Sequence, residues 1–546
     1  MVDPISVAGL AIAVLDQLVK LGERSAELIS DCYAFGEDTT QYHNLILDEN
    51  ARTRLLRALL FSEASIYSGR TLFEQFDVDI QKQIELLLGQ LKSILQEGCD
   101  LLERRYGVTK PTTPPLSSVP TTPSRLSLTK SLTPEIPANL TQKKSKNAFL
   151  DMLLWSFRDK KRVETIISTF NDQNSRIHEK IKLWCLASQL GVDVEHLRRL
   201  QNDDASKQLG FDKDATLRLT KAAETFNLDL ELTDPKWDRC LRGIPQTLDQ
   251  GMFSTFLKDG KVMLQENHLT EGSIIGERSQ ELEPRTRQRV EALARLLHQP
   301  KEQAFRIPSC VGWQFLPDVR SVAFVFDVQP PPQGEPVSLL RLISNTDARP
   351  GLGDKFRLAV GLARCISQIH MVQWVHESFR SENILFFPIK TTSGQDEIQY
   401  DEPWVLGFAF SRPETFFSNG PADFFPARDI YRHPERQGRP EQRFTKMHDI
   451  YALGVVLLEI GLWEPAIKLE KNMFAHASNG YAVRAQLIKH AQRRLEPRVG
   501  RKYKDIVVRC LNGNFDIVDD SKEDLKLQQA FRTQVVDILD RAADNV

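Results

Sequence analysis

The chain has 546 residues, 41% of them hydrophobic and 26% charged, with a formal net charge of −2. That length allows two to four domains, each able to bury a core of its own. The near-neutral charge excludes the basic signature of a nucleic-acid-binding protein, and no apolar run reaches the 18 or so residues of a constitutive transmembrane helix. Seven cysteines (Cys32, Cys99, Cys185, Cys240, Cys310, Cys365 and Cys510) are scattered without a CxxC pair or a Cys/His cluster of zinc spacing. No metal site is read from them, and reduced, mostly buried thiols in a cytoplasmic protein are expected.

The opening MVDPISVAGLAIAVLDQL is apolar from Ile5 to Leu15 and is then broken by Asp16. Asp3 stands where a signal peptide carries positive charge, so no cleaved signal is expected. The segment reads as a helix with Ile5, Val7, Leu10, Ile12 and Leu15 as its large apolar residues and Ala8, Gly9, Ala11 and Ala13 as small ones. Gln41 to Phe61 and Asp79 to Arg105 follow as predicted helices. The second carries Ile80, Ile84, Leu87, Leu88, Leu91, Leu95 and Leu102 on one stripe, a length and spacing that suit a bundle. From Gly107 to Asn147 the composition turns to Pro, Ser and Thr, without an aromatic residue in the TKPTTPPLSSVPTTPSRLSLTKSLTPEIP stretch, and predicts disorder. Its Thr-Pro steps at Thr113, Thr122 and Thr133 are candidate sites for a proline-directed kinase, with an inert linker as the equal alternative. Helical spacing resumes from Ala148 to about Leu190, so residues 1–190 read as one helical bundle with residues 107–147 as a loop inside it.

Residues 191–244 read as a connector of short amphipathic pieces ending near Trp237. Residues 245–546 change character. GMFSTFLKDGKVMLQE predicts two strands around an Asp259-Gly260 turn. Pro284 to His298 predicts a helix, SVAFVFDV (321–328) a strand, and the remainder is mainly helical.

Several stretches of this second half resemble protein-kinase landmarks, in family order. SVAFVFDV resembles the last strand of the small lobe and KFRLAVGLARCISQIH the helix before the catalytic loop. HESFRSENIL (376–385) resembles that loop, VLGFAFSR the metal-binding turn, RHPE the Ala-Pro-Glu motif with Glu435, and HDIYALGVVLLEI the helix that anchors the catalytic loop, with Asp449 and Gly454. The resemblance implies a two-lobe α+β fold, and it implies lost chemistry. Ser378 stands at the position of the catalytic aspartate, preceded by Glu377 instead of arginine. Gly407 stands at the position of the metal-binding aspartate, before Phe408. Gln265 is matched to the small-lobe lysine, and no glycine-rich phosphate loop precedes it. Asn383 is retained, and Glu291 is a candidate remnant of the small-lobe helix glutamate. Without base, metal ligand and lysine, phosphoryl transfer loses most of its electrostatic support. His376, Phe408, Glu435, Asp449 and Gly454 are read as structural. No cofactor is assigned, weak ATP binding being left open, and Ser411 and Ser418 fall in the expected activation segment.

The first half resembles the HeLo domain, the helical bundle of fungal heterokaryon-incompatibility and prion-linked proteins. The resemblance rests on MVDPISVAGLAIAVL, CYAFGEDTTQYHNLIL, LLERRYG and LTQKKSKNAFLDMLLWSFRDKKRVETIISTF. It implies a cell-death effector that oligomerises on activation and inserts its N-terminal helix into the plasma membrane, cytoplasmic at rest and answering an upstream receptor or kinase. A helical executioner joined to an inactive kinase fold is similar in architecture to the mixed-lineage kinase domain-like protein of animal necroptosis, an analogy of layout. Two alternatives stand beside it: a divergent active kinase that binds ATP, and a non-catalytic scaffold.

Overall fold

The computed structural model describes residues 7–30, 38–106, 160–222, 228–242, 252–269, 281–319, 321–329, 334–345, 349–390, 396–408, 426–437, 443–470, 472, 474, 477 and 479–546. Ile5, the Pro/Ser/Thr stretch with Thr113, Thr122 and Thr133, and Ser411 and Ser418 lie outside the described residues. The chain divides into two compact units, Met1–Lys182 and Leu183–Val546.

Among the described residues of the first unit, four long helices carry the core: α1 (Val7–Ser30), α2 (Asp38–Phe61), α3 (Val78–Tyr106) and α4 (Lys160–Ala187), the last running on into the second unit. The predicted stripe on α3 is the buried one, from Ile80 and Ile84 through Leu91 and Leu95 to Leu102. It meets the face of α1 formed by Ala11, Leu15, Leu18, Ala26 and Ile29. Each large aliphatic side chain so buried contributes about 1.5–3 kcal/mol. Gly22 lets α1 approach α2: a Cβ there would lie 2.7 Å from the Asn50 amide, which donates to Val19 O at 3.2 Å. A polar seam joins α2 to α4. Glu49 is buried, and its carboxylate accepts from Asn174 Nδ2 at 2.6 Å and from Arg52 at 3.0 Å.

The second unit begins with short helices, among them α5 (Val194–Asn202), α6 (Phe211–Ala222) and α7 (Pro235–Arg242). A four-stranded antiparallel sheet follows in the order β1-β2-β4-β3, with β1 Phe253–Lys258, β2 Lys261–Leu269, β3 Ser309–Leu316 and β4 Ser321–Asp327. The β1–β2 hairpin turns at Asp259 (φ +50°) and Gly260 (φ +79°), the left-handed pair that the Asp-Gly dipeptide favours. Helix α8 (Pro284–His298) is inserted between β2 and β3. Its Val290, Leu293, Ala294 and Leu297 share a core with Leu264, Phe324 and Phe326 on one face of the sheet. Met263, Ala323 and Val325 form the other face, packed with Leu241 of α7. The connector also adds backbone to the sheet, Leu232 N donating to Trp313 O at 2.8 Å and Trp313 N to Leu230 O at 3.0 Å.

Beyond β4 the unit is mainly helical. Three short strands pair in the order β5-β6-β7, with β5 Val337–Ser338, β6 Ile384–Phe386 and β7 Trp404–Val405. The central helices are α9 (Leu352–Met371) and α10 (Lys446–Leu462), joined by α11 (Gly480–Arg494) and α12 (Arg501–Asn512). Gly454 sits where α10 crosses α12, and a Cβ there would fall 2.9 Å from Cys510 Cβ. Cys99, Cys185, Cys310, Cys365 and Cys510 are free and buried, and Cys240 is free and half-buried. Cys32 lies outside the described residues.

Candidate functional site

The candidate site is built where α9 ends and the chain returns through residues 376–383 to β6. Gln373 and Glu377 take left-handed backbone (φ +61° and +64°), which turns the loop back beneath the helix. Asp449, fully buried in the first turn of α10, holds it there. Its carboxylate accepts from His376 N at 2.7 Å and Glu377 N at 3.1 Å, and lies 3.2 Å from His370 Nε2. A buried carboxylate is tolerated here because donors meet both oxygens.

His376 packs its ring 4.3 Å from that of Phe408 and edge-on to Phe379. Burial pushes it down to about 4, so it is neutral near pH 7 and has the environment of a core residue. Ser378 is half-buried. Its carbonyl and hydroxyl both accept from Asn383 Nδ2, at 2.8 and 3.3 Å. Asn383 O in turn accepts from Leu406 N at 2.9 Å, tying the loop to the turn at residues 405–408. Gly407 has φ +85°, and a Cβ added to it would lie 2.0 Å from Asn383 Nδ2 and 2.8 Å from Asn383 Cβ. An aspartate could not stand at 407 without displacing Asn383.

Opposite this turn stands β2, where the expected residue is corrected. Gln265 pairs with Val325 and belongs to the face that α7 covers, its amide donating to Asn267 Oδ1 at 2.6 Å. The next residue, Glu266, pairs with Phe324 on the other face and reaches the loop. Its Oε1 accepts from Gly407 N at 3.0 Å and lies 2.7 Å from His268 Nε2. Glu266 Oε2 and Asn383 Oδ1 are buried and have no hydrogen-bond partner among the described residues. The run Gln265-Glu266-Asn267-His268 was the available signal: four polar residues in succession in a central strand are costly unless they are used. Glu291 does not join them. It lies 3.4 Å from Arg295 and 3.9 Å from Arg287 on its own helix.

These residues do not fit a magnesium nucleotide. Gly407 supplies no carboxylate, Glu266 Oε1 is engaged by the Gly407 amide, and the unpartnered oxygens here among the described residues, Glu266 Oε2 and Asn383 Oδ1, come from one carboxylate and one amide. Coordination of magnesium asks for free carboxylate oxygens in near-octahedral order.

A second buried network, not foreseen in the sequence, underpins the loop. Ser381 Oγ meets Tyr431 OH at 2.7 Å, Tyr431 OH donates to Glu459 Oε1 at 2.7 Å, and Ala466 N donates to the same oxygen at 2.8 Å. Burial raises Glu459 to about 7. Nearby, His433, Glu435 and His448 bring potential ligand atoms within 4.8 Å of one another. Both rings use Nδ1 as an acceptor, His448 from Thr445 N at 3.1 Å and His433 from Glu435 N at 3.4 Å. Their Nε2 atoms therefore carry the proton, and Arg436 and Arg484 add positive charge. The trio caps two segment starts and is not arranged as a metal cage.

At the N-terminus, Leu15 is in the bundle core, Ile12 is half-buried and Leu10 is 39% exposed. Val7 begins α1. Among the described residues no helix is long and apolar enough to cross a membrane.

The fold and site thus define a two-part protein: a helical N-terminal region, and a C-terminal region of mixed helices and small antiparallel sheets. Residues 8–201 match the HeLo family, described as prion-inhibition and propagation and associated with cell death and incompatibility. Residues 278–546 match a domain of unknown function, DUF7580. Among curated proteins none matches the chain.

Proposed function

We propose that the chain is a cell-death effector of the fungal incompatibility type. The HeLo bundle oligomerises and permeabilises membrane, and the C-terminal region is a kinase-like two-lobe fold that has lost phosphoryl transfer and restrains the bundle until a signal arrives. The kinase-like reading is supported by a four-stranded antiparallel sheet carrying one helix, followed by a helical half whose loop is gripped by Asp449 from α10. The loss of transfer is carried by one observation: Gly407, where a metal-binding carboxylate would stand, is packed against Asn383 so closely that no side chain fits. Ser378 has no basicity with which to accept a proton near pH 7. Retained architecture without reactive groups suits a switch, since lobes of such a fold move between discrete arrangements. On the effector side, α1 exposes Leu10 and carries Asp16 and Lys20 within its length. An inserted oligomer tolerates such charges when they face a water-filled lumen.

Residues 1–200 and the whole chain, expressed separately, test the reading. The bundle alone is expected to kill cells and to release dye from anionic liposomes, and the whole chain to do neither at equal dose. An inert bundle, or a chain that transfers phosphate from ATP with Mg²⁺ or Mn²⁺, overturns it.

A further inference from the structure

The carboxylate of Glu266 stands where an anionic ligand would have to place its charge. The side chain is 1% exposed, on the face of β2 that α8 covers. Oε1 takes the Gly407 N–H at 3.0 Å and lies 2.7 Å from His268 Nε2, a contact outside hydrogen-bond geometry. Oε2 is buried beside them without a hydrogen-bond partner among the described residues. A buried backbone N–H beside an imidazole is a place that suits a phosphate or carboxylate oxygen. Here the protein supplies that oxygen itself, from the neighbouring sheet.

We propose that Glu266 sets the charge selectivity of the place between β2 and the turn at residues 405–408. It fills the anion position at the Gly407 amide from within the fold, and any phosphate-bearing ligand must first expel it. Position 407 offers a divalent cation no second carboxylate, and Glu266 Oε1 is already held by the Gly407 N–H. The identity of the excluded ligand, a nucleotide, rests on the kinase-like reading above; the charge selectivity rests on the Glu266–Gly407 contact alone. A purely structural pin would show the same contact but would be indifferent to the charge of what enters.

The test uses the full chain as wild type, Glu266→Gln and Glu266→Lys, titrated with a fluorescent N-methylanthraniloyl-ADP and, separately, with inorganic pyrophosphate, each with and without Mg²⁺. Thermal unfolding and hydrogen exchange of the peptide containing Gly407 serve as folding controls. Wild type is expected to show no saturable binding at millimolar ligand. Glu266→Gln keeps an acceptor for Gly407 N–H while removing the charge, and is expected to bind at least tenfold tighter than the wild-type limit. Glu266→Lys is expected to bind about tenfold tighter again. Wild-type binding equal to that of Glu266→Gln overturns the proposal. So does an absence of binding in a Glu266→Gln chain that melts and exchanges like wild type, an arm that decides even where the lysine variant fails to fold. Should Glu266→Gln take pyrophosphate as well as the nucleotide, the charge selectivity stands and the kinase-like identity of the ligand falls.

Discussion

Helices α1 and α10 are both apolar, and they are placed in opposite ways. From His448 to Leu462 every residue of α10 is buried, so the helix is wrapped on all sides. In α1 only one face is buried, through Ala11, Leu15, Leu18, Ala26 and Ile29, while Leu10 stays 39% exposed and Asp16, Arg24 and Glu23 make ion pairs at the surface. A helix held on one face can leave at the cost of that face. A helix held all round can leave only with the unfolding of its domain. The contrast agrees with the division of labour proposed above, in which the first region rearranges and the second holds.

The same contrast appears in the buried polar groups. Asp449 in α10 is met by the 376–377 backbone and lies beside His370, and it fixes a loop some seventy residues away. Glu49 in the bundle bonds Arg52 one turn on and Asn174 across the seam, and Arg52 remains 37% exposed. The first network is closed to water, the second leaks to it. Replacing Asp449 by Ala is therefore expected to give the largest effect, a loss of about 3–5 kcal/mol from the C-terminal unit, since two backbone donors are left unmet in a dry site. Asp449→Asn, which keeps an acceptor, should lose roughly half as much. Denaturant unfolding followed by tryptophan fluorescence measures both. Equal stability of Asp449→Ala and wild type would show that the loop is not gripped through this residue.

The comparison sharpens on α1 itself. Leu15→Ala should cost about 3 kcal/mol, the usual range for a large-to-small change at a fully buried leucine. Leu10→Ala should cost less than about 0.5 kcal/mol in the resting chain, as exposed substitutions do. If Leu10 matters for membrane activity, the two variants separate in opposite directions: Leu15→Ala loosens the bundle and raises liposome leakage, whereas Leu10→Ala leaves stability alone and lowers leakage. Parallel changes in both would mean that leakage only reports unfolding.

How far the sequence reached follows the range of each signal. Period-3.6 and period-2 patterns are local, and they placed the helix Pro284–His298 and the strand at 321 where the structure has them. The Asp259-Gly260 turn was equally legible, because its residue types answer to backbone angles. The register of β2 was not. A strand alternates its faces, so a slip of one position exchanges Gln265 for Glu266 and moves the relevant residue from the α7 side to the loop side. Nor does any local pattern announce that Ser381, Tyr431 and Glu459 meet, because their contact depends on how a loop, a turn and α10 are brought together. Glu291 shows the reverse case. Its position on the helix was legible, but its partners are arginines one turn away on the same helix.

Glu459 offers the smallest and most specific effect. Its pKa is raised from 4.5 to about 7, chiefly by burial, against the opposing help of Ala466 N–H, Tyr431 and Ser381. The folded chain therefore holds this proton more tightly than the unfolded chain. Below about pH 4.5 both states are protonated and the full contribution is present. As pH rises through 7 the folded form must ionise a carboxyl sealed from water, and that stability is lost. Since a tenfold change in proton affinity is worth about 1.4 kcal/mol, the loss between pH 5 and 7.5 is about 2–3 kcal/mol. Glu459→Gln cannot ionise, and its carbonyl can still accept from Tyr431 and Ala466. It should be no more stable than wild type at pH 5, and should close the gap or overtake it at pH 7.5. Paired unfolding curves at the two pH values isolate this difference from every other titrating group, because the rest of the chain is common to both. A gap between wild type and Glu459→Gln that does not move with pH would mean that Glu459 is ionised in the fold, and that the Ser381–Tyr431–Glu459 network carries a charge where burial favours a proton.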